Sequence, residues 1–578
     1  MMNRKVATCW LKCTALSLVA ASGPAIAQYV PPRQMTISPL GVNLVDGRLT
    51  YKSVDLSIGP LELERSYIGG AQKIPSKYFG KNWTHNFDIY VMEGNGLRLN
   101  DSFVQIGRRT VTFTIYAQNG FYADYPESIG STLKVVSGAY VYETKEGDVY
   151  TFNPSVEAQA PNYANPRSQR VANIVYANGQ RLDFTYSAGK LVRVQSNYGY
   201  AIVFEINAAG DISKSCAFNQ TLAPVGTSCA SALSTVTYTY ATINASPALV
   251  SVQDRLGQTW GYDYTINGSA ALTCIRQVNS SACLLQNAGG GRITQQIDAN
   301  GGVWNYDISG NDPDFILLPG QPKEVTAGSV SGPAGLEISA LFGGGLLTNY
   351  SENGRSTFLS WNGIMLTSLH HREGNSITYN YDEYNNATGE SWTPKPNSGI
   401  SAVSSFAAYP AHTPSWSSSE CISYTRKACN KPLYRLDFRG NRTDYTWDQN
   451  SGQPLTEVGP ADANGVRPVK RSAYAQRYTW LSNGGGFVQS ATPIWVLATE
   501  KTCRTTATIG DACAGGAPDE VVTAFDYGPD SGPNNLSLRG VAVTADGATR
   551  RTCYGYDAMG NRIWETKPLA GLASCPAS

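Results

Sequence analysis

Five aspartates occupy similar surroundings along the chain and could, as carboxylates, support acid–base chemistry. A glycosidase needs two carboxylates across a cleft, so an enzyme acting on polysaccharide is one hypothesis for this sequence. All five lie in equivalent places of a recurring stretch, however, and an active site is rarely copied five times: Asp263, Asp307, Asp382, Asp448 and Asp557. We therefore predict that they cap turns and that the chain has no catalytic residue. The sequence also contains no Gly-x-Ser-x-Gly, Walker or His-Glu-x-x-His motif.

Histidine is a second source of chemistry, and the chain has four. His370 and His371 are adjacent, and neighbours on a strand point to opposite faces, so they cannot easily hold one metal ion. For His85, in a Trp-Thr-His stretch, we predict a structural hydrogen bond. An oxygen-rich segment, Ser309 to Phe315, lacks the alternating ligands of a recognised calcium loop. Calcium stays open as an alternative, and we predict no other metal or cofactor.

The twelve cysteines favour disulfides over metal binding. Cys9 and Cys13 fall near the N-terminus, in a stretch typical of a leader peptide, and the remaining ten are neighbours in sequence: Cys216 and Cys229, Cys274 and Cys283, Cys421 and Cys429, Cys503 and Cys513, and Cys553 and Cys575. Zinc sites typically use two-residue spacings with histidine partners, and the sequence suggests no histidine beside these pairs. Sequential pairing would clip five local loops, although sequence alone does not settle the connectivity. Cys575 lies so close to the C-terminus that a bond to another chain is an alternative.

The N-terminus is typical of a secretory signal peptide. A basic start is followed by a short apolar stretch and by a small-x-small site, which predicts cleavage between Ala27 and Gln28. No other segment has the roughly 18 uninterrupted apolar residues that a membrane-spanning helix requires. The formal net charge of +1 provides no electrostatic case for nucleic acid. We therefore expect a secreted, periplasmic or cell-surface protein that neither spans a membrane nor binds nucleic acid.

Alternation of apolar and polar residues dominates the chain, as in the stretches 48–51, 111–115 and 235–240. Apolar residues rarely recur at spacings of three and four, so helix signals are sparse. Glycine, asparagine and aspartate mark turns between the alternating stretches. The sequence therefore predicts a nearly all-β chain of antiparallel hairpins.

From about residue 170 a hairpin unit recurs. A turn of the form Asp-x-x-Gly precedes a short strand ending Tyr-x-Tyr/Trp-Asp, and a second turn ends in glycine. The aromatic residues two apart share one strand face, while the aspartate accepts backbone N–H groups and the glycine takes a positive φ. The clearest copies contain these structural residues: Asp437, Gly440, Tyr445, Trp447, Asp448, Tyr554, Tyr556, Asp557, Gly560 and Arg562.

This unit resembles the YD repeat of the Rhs family, whose signature is Tyr-x-Tyr-Asp-x-x-Gly-x-Arg. The segments Gly41 to Tyr67 and Phe79 to Val91 resemble the region that precedes the repeats in that family. The resemblance implies a long β-ribbon that coils into a shell, which in larger relatives encloses a C-terminal polypeptide. The chain departs from the family pattern because it has no Asp-Pro-x-Gly core end and no variable toxin tip. A truncated chain, one half of a split toxin complex and a shorter binding relative all remain open.

These patterns divide the chain into five segments. We predict a signal peptide at 1–27, an N-terminal β domain of the Rhs type at 28–165 and a degenerate repeat block at 166–400. A Ser/Pro-rich insertion with a cysteine loop follows at 401–430, and a last repeat block at 431–578. The expected function is a secreted, non-enzymatic scaffold or shell that serves cell-surface contact, carbohydrate binding or toxin delivery. Its expected partners are a companion chain or cargo polypeptide and a cell-surface glycan.

Overall fold

The prediction of a nearly all-β chain of antiparallel hairpins is confirmed. The structure, a computed structural model, describes residues 36–69, 78–93, 101–107, 109–116, 120–122, 127–156, 168–265, 271–309, 326–412, 421–504, 508–509 and 512–576. Apart from single 3-10 turns, the described helix is one turn, α1 (Arg426–Cys429). The predicted signal peptide and its cleavage site lie outside the described residues.

The described residues form 43 strands, which are named here in chain order in groups of ten or eleven. The first group is β1 (Thr50–Ile58), β2 (Leu61–Ile68), β3 (Trp83–His85), β4 (Ile89–Glu93), β5 (Asp101–Ile106), β6 (Arg109–Tyr116), β7 (Gly120–Tyr122), β8 (Thr132–Val136), β9 (Ala139–Glu143), β10 (Val149–Asn153) and β11 (Ser168–Val175). The second is β12 (Arg181–Ser187), β13 (Lys190–Ser196), β14 (Tyr200–Ile206), β15 (Ile212–Asn219), β16 (Ser234–Ile243), β17 (Ser246–Gln253), β18 (Thr259–Tyr264), β19 (Leu272–Arg276), β20 (Cys283–Ala288), β21 (Gln295–Asp298) and β22 (Val303–Ser309). The third is β23 (Thr326–Gly332), β24 (Leu336–Gly343), β25 (Leu346–Glu352), β26 (Arg355–Asn362), β27 (Met365–His371), β28 (Ser376–Tyr381), β29 (Ala387–Thr393), β30 (Val403–Ala408), β31 (Tyr434–Leu436), β32 (Arg442–Trp447) and β33 (Pro454–Val458). The last is β34 (Val469–Arg477), β35 (Trp480–Ser482), β36 (Phe487–Gln489), β37 (Ile494–Cys503), β38 (Thr508–Ile509), β39 (Ala512–Cys513), β40 (Glu520–Tyr527), β41 (Leu538–Ala545), β42 (Ala548–Tyr556) and β43 (Arg562–Glu565).

One continuous ribbon runs from β8 to β43, and in it each strand pairs antiparallel with the next. Two small hairpins, β35–β36 and β38–β39, leave the ribbon, which continues by direct pairing of β34 with β37 and of β37 with β40. Near its start, β11 also pairs through its first residues with β4, which leads into β5, β6 and β7. The ribbon is therefore built of contacts between neighbours in sequence.

Strands β1, β2 and β3 form a separate three-stranded sheet, the N-terminal sheet, which packs against the first part of the ribbon. Its buried side chains share one core with residues from β14 to β25. Hydrogen bonds also join segments beside these strands to the ribbon; for example, the Gly80 amide donates to Asp211 (3.0 Å) and the Ile293 amide donates to the Gly47 carbonyl (2.8 Å). The N-terminal sheet thus covers one face of the early ribbon.

Later strands return to lie alongside earlier ones, so that the ribbon is coiled. Hydrogen bonds join residues 262 to 339 positions apart, from the Ser482 amide donating to the Gln220 carbonyl to Asn219 donating to the Ala558 carbonyl. Between these limits, the Trp495 amide donates to the Asn178 carbonyl (2.9 Å). We call this line of contacts between the 128–221 and 426–560 parts of the ribbon the seam.

The Ser/Pro-rich segment predicted as an insertion is, in part, a strand of the ribbon. Residues 403–408 form β30, which pairs with β29 on one side and β31 on the other. The sequence prediction emphasised the serines and prolines and missed the apolar residues Val403 and Phe406, which lie in this short strand. The ribbon therefore continues through this region, and residues 413–420 lie outside the described part.

Candidate functional site

The clearest repeat turn contains Asp557 and Gly560. Oδ1 of Asp557 accepts hydrogen bonds from the amides of Met559 and Asn561 (both 2.9 Å), and Oδ2 accepts one from the Asn561 side chain (3.0 Å). Gly560 has φ +84°, where a Cβ would also meet the Tyr200 ring. The aspartate therefore stabilises a tight turn, and its oxygens are occupied by that task.

The same turn recurs along the ribbon. Asp437 accepts from the amides of Arg439 and Asn441, with Gly440 at φ +78°, and Asp448 accepts from the amide and hydroxyl of Ser451. Three further carboxylates accept hydrogen bonds from the backbone amides two and four residues ahead: Asp254, Asp298 and Asp462. Sequence reasoning did not single these out as a set.

Two of the five candidate aspartates are not turn caps. Asp263 lies within β18 and forms an ion pair with Arg276, and Asp307 lies within β22, where it is exposed. At both positions the strand continues beyond the aspartate, to Tyr264 in β18 and to Ser309 in β22. The Tyr-Asp pair therefore lies before the strand end. The prediction of turn capping was wrong at these two positions.

A second recurring contact, which sequence reasoning missed, is made from the second half of several strands. An aromatic side chain donates a hydrogen bond of 2.6–3.0 Å from its hydroxyl or indole N–H to a backbone carbonyl in or just before the preceding strand of the ribbon. At each position the pairing with the following strand shifts register at that same residue. We call these side chains the aromatic clamps: Tyr186, Tyr240, Tyr264, Trp361, Tyr381, Trp447, Tyr474, Tyr527 and Tyr556.

The clamps explain why the repeat ends in two aromatic residues. In β42, Tyr556 donates to the Leu538 carbonyl (2.8 Å), whereas Tyr554 carries the guanidinium of Arg562 over its ring at 4.9 Å. In β32, Trp447 is the clamp and lies 6.0 Å from Tyr445, centroid to centroid. Burial raises the pKa of clamp hydroxyls, to about 12 at Tyr381 and Tyr474, so the phenols stay protonated donors.

A buried ion pair joins the N-terminal sheet to the ribbon. Arg65 Nε lies 2.8 Å from Asp55 Oδ2, and its Nη2 donates to the Tyr262 hydroxyl (3.0 Å). Its guanidinium also lies 4.3 Å from the ring centre of Trp83. Burial lowers and the Asp55 carboxylate raises the pKa of Arg65, and the net direction is upward, so the guanidinium stays charged. Breaking such a pair from one side would leave an uncompensated buried charge.

The Trp83 indole adds a neutral contact to this junction. Its Nε1 donates to the Tyr264 hydroxyl (2.9 Å), which in turn donates to the Leu249 carbonyl (2.7 Å). The clamp at Tyr264 therefore ties β3 of the N-terminal sheet to two strands of the ribbon. These buried polar groups form a structural network rather than an open site.

His85 does not make the hydrogen bond that we predicted. Its side chain is buried, and neither ring nitrogen has a hydrogen-bond partner among the described residues. The ring instead packs against aromatic neighbours, with centroid distances of 4.7 Å to Tyr78 and 5.9 Å to Phe204. Burial lowers the pKa of His85 to about 4. The sequence signal was available in retrospect, because aromatic residues flank this histidine at Trp83 and Phe87.

A polar cavity of about 460 Å³ opens among β34, β37, β40 and β41. Its charged groups are paired: Arg539 Nη2 lies 2.9 Å from Asp526 Oδ1, and Arg477 lies 3.4 Å from Asp530. Arg477 also donates to the Gly528 carbonyl (3.1 Å). The cavity offers paired ions and backbone carbonyls, and its lining contains no cysteine, serine or histidine as a nucleophile or base.

The structure places the ten cysteines in five disulfides, each between sequence neighbours, with Cα–Cα distances of 5.4–5.6 Å. Cys575 pairs with Cys553 within the chain. Each bridge spans 8 to 22 residues and therefore closes a local loop.

One histidine does lie beside a cysteine pair, contrary to the expectation from sequence. Nε2 of His412 is 3.2 Å from Sγ of Cys429, and the His412 backbone forms a β-bridge with Cys421. The signal was the short separation of His412 from Cys421, which we did not weigh. His370 and His371 lie in β27, where Nδ1 of His371 is 3.1 Å from the Thr357 hydroxyl. The segment weighed for calcium lies outside the described residues from 310 onward.

Among the described residues, no helix has the length and apolar character needed to cross a bilayer. The five disulfides suit an oxidising environment.

Comparison with known proteins gives a match for one part of the N-terminal region. Residues 41–106 match the family described as "Domain of unknown function (DUF6531)", a stretch that contains the Arg65 and His85 positions. No curated protein matches the chain. A solved structure described as "Crystal Structure of TcdB2-TccC3-TEV" aligns with a TM-score of 0.32 and 11% identity, over 80% of this chain and 24% of that chain. The chain thus spans about a quarter of that solved chain.

Proposed function

We propose that this chain is an exported, non-enzymatic scaffold of the Rhs or YD-repeat type, whose coiled ribbon forms part of a shell wall. The observation that carries the proposal is the seam, where the ribbon meets itself after 262 to 339 residues. A ribbon held by neighbour contacts, clamps and a seam is suited to enclosing or presenting another molecule.

Two further features support this function. The turn aspartates are occupied by backbone amides, which leaves them unsuited to acid–base chemistry. The disulfides clip surface loops and so favour an extracellular or periplasmic location after removal of the predicted signal peptide. In this proposal the partner is a companion or cargo polypeptide.

Aspartate variants separate this function from the enzymatic alternative. Alanine at Asp448 or Asp557 should lower the yield of folded protein, because each removes a turn cap, while the purified parent should cleave no polysaccharide in a panel. Sugar cleavage by the parent that is lost in a normally folded Asp557→Ala variant would refute the scaffold. Fractionation tests the location: we expect the tagged protein outside the cytoplasm, with residues 1–27 removed.

Contact with a cell-surface glycan is a second function, favoured by a pair of exposed aromatic rings. Trp392 and Phe438 are 47% and 37% exposed, and their rings meet edge to face at 5.7 Å. Aromatic rings of this kind can stack on sugar rings, so binding on a glycan array should fall in a Trp392→Ala variant and persist in Phe487→Ala, another exposed aromatic. Equal binding by both variants would exclude this surface.

A further inference from the structure

The short loop closed by Cys421 and Cys429 has a third potential metal ligand at its base. One ligand atom each from His412, Cys421 and Cys429 lies within 4.8 Å of the others. The His412 ring is held in place by stacking on Tyr384, with centroids 3.7 Å and planes 18° apart. The imidazole is therefore oriented towards the two sulfurs before any ligand binds.

We propose that His412, Cys421 and Cys429 form a zinc site when the disulfide between the two cysteines is reduced. Two thiolates and one imidazole are a ligand set that Zn²⁺ prefers, at distances of about 2.3 Å to sulfur and about 2.0 Å to nitrogen. Ligands at those distances in a tetrahedron lie roughly 3–4 Å apart, which the present spacing can reach with side-chain rotation. This inference goes beyond the scaffold function and does not depend on it.

A solvent molecule completes the coordination. His412 and Cys421 are half-buried, so water reaches that side of the cluster. A carboxylate on the same turn as Tyr384, that of Asp382, already accepts hydrogen bonds from the amides of Tyr384 and Asn386. Among the described residues the group contains three protein ligands, and the fourth position is open.

A dithiol reductant converts the Cys421–Cys429 disulfide into the reduced, zinc-binding form. The dithiol supplies two electrons and two protons, becomes a disulfide itself, and converts the Cys421–Cys429 bond into two thiols. Zinc binding then forms two Zn–S bonds and one Zn–N bond and releases the two thiol protons to solvent. Reoxidation reverses both steps and expels the ion.

The location of this loop gives the exchange a structural consequence. At the loop, Arg426 lies 3.2 Å from Glu143 and donates to the Gly130 carbonyl (2.6 Å), while Asn430 donates to the Lys145 carbonyl (2.9 Å). These contacts belong to the seam. Zinc would keep the loop closed, and the seam fastened, under conditions that open the disulfide.

Site-resolved alkylation tests the proposal on the full chain. The protein is reduced with TCEP without denaturant, incubated with Zn²⁺ or EDTA, treated with iodoacetamide and analysed by peptide mass spectrometry. We expect Zn²⁺ to slow alkylation of Cys421 and Cys429 on the order of tenfold or more, since a metal-bound thiolate is a poorer nucleophile. Cys274 and Cys283, which no third ligand joins among the described residues, serve as the matched pair and should react at the same rate in both conditions.

A His412→Gln variant assigns the imidazole. Protection by Zn²⁺ should disappear in this variant, while the alkylation rates with EDTA stay those of the parent. Equal rates with Zn²⁺ and EDTA in the parent would overturn the proposal, and so would protection that survives the substitution. Loss of the fold on reduction, seen as equal reactivity of all ten cysteines, would also overturn it, because the site requires the folded loop.

Discussion

Lowering the pH from about 7.5 to about 5 should loosen strand β3 of the N-terminal sheet, because His85 is buried as a neutral ring. An ordinary histidine has a pKa near 6.5, and burial lowers that of His85 to about 4. The unfolded chain therefore binds a proton over this interval that the folded chain does not. Stability from this group is complete above about pH 6.5 and is lost as the pH falls towards 4.

The size of the effect follows from the two pKa values. The full difference of about 2.5 units corresponds to about 3 kcal/mol, and about 2 kcal/mol of it is lost by pH 5. Asp88 favours the charged form of the His85 ring and Arg170 opposes it, and each of these effects is smaller than that of burial. A loss of about 2 kcal/mol equals roughly a 30-fold fall in protection of backbone amides that exchange through opening of the N-terminal sheet.

Hydrogen–deuterium exchange of peptides covering β3, corrected for intrinsic rates, measures this change directly. His85→Phe, which suits the surrounding aromatic rings, should remove the pH dependence, whereas His370→Gln at an exposed strand position should leave it intact. An identical fall in protection in the parent and in His85→Phe would show that the buried imidazole is not its cause.

Three further perturbations have expected outcomes that denaturant unfolding or exchange can check. Tyr264→Phe removes both hydrogen bonds of that clamp and should destabilise the chain by about 2–4 kcal/mol. Tyr554→Phe is the control, because its hydroxyl has no hydrogen bond among the described residues, and it should change stability by less than about 0.5 kcal/mol. Similar unfolding midpoints for the two variants would contradict the role of the clamp. Asp557→Ala should cost about 1 kcal/mol by loss of the turn cap, and Asp307→Ala in an exposed strand should cost almost nothing, so equal effects would count against capping. Arg426→Ala should raise exchange at the seam around residues 143–147 about tenfold, and unchanged exchange there would show that this contact does not fasten the ribbon.

The local parts of the fold could be predicted because their causes are local. Strand alternation and turns that need Gly560 at positive φ depend on residues within a few positions of each other. The turn of Asp557 is readable because its carboxylate accepts from residues two and four ahead. Asp263 was misread since the same Tyr-Asp letters occur there with a strand that continues.

The remaining features depend on partners that the sequence places far apart. The ion pair of Arg65 meets Tyr262 across 197 residues, and no periodicity signals that encounter. The clamp acceptors are backbone carbonyls, which every residue type has, so the sequence does not mark them. They are recognised in the structure by the register shift at each clamp residue. The buried His85 lost its expected hydrogen bond because aromatic packing, rather than polarity, governs its surroundings.

The seam has a consequence for the order in which the chain folds. Ribbon contacts join neighbouring strands and can form as each hairpin is made, whereas the seam contacts must wait for a partner synthesised about 300 residues later. During that interval the early turns that make the seam contacts, such as those at Asn178 and Asn197, are uncovered. Loop disulfides that close over 8 to 22 residues can form before the seam does, and so preserve finished hairpins while the rest of the chain emerges.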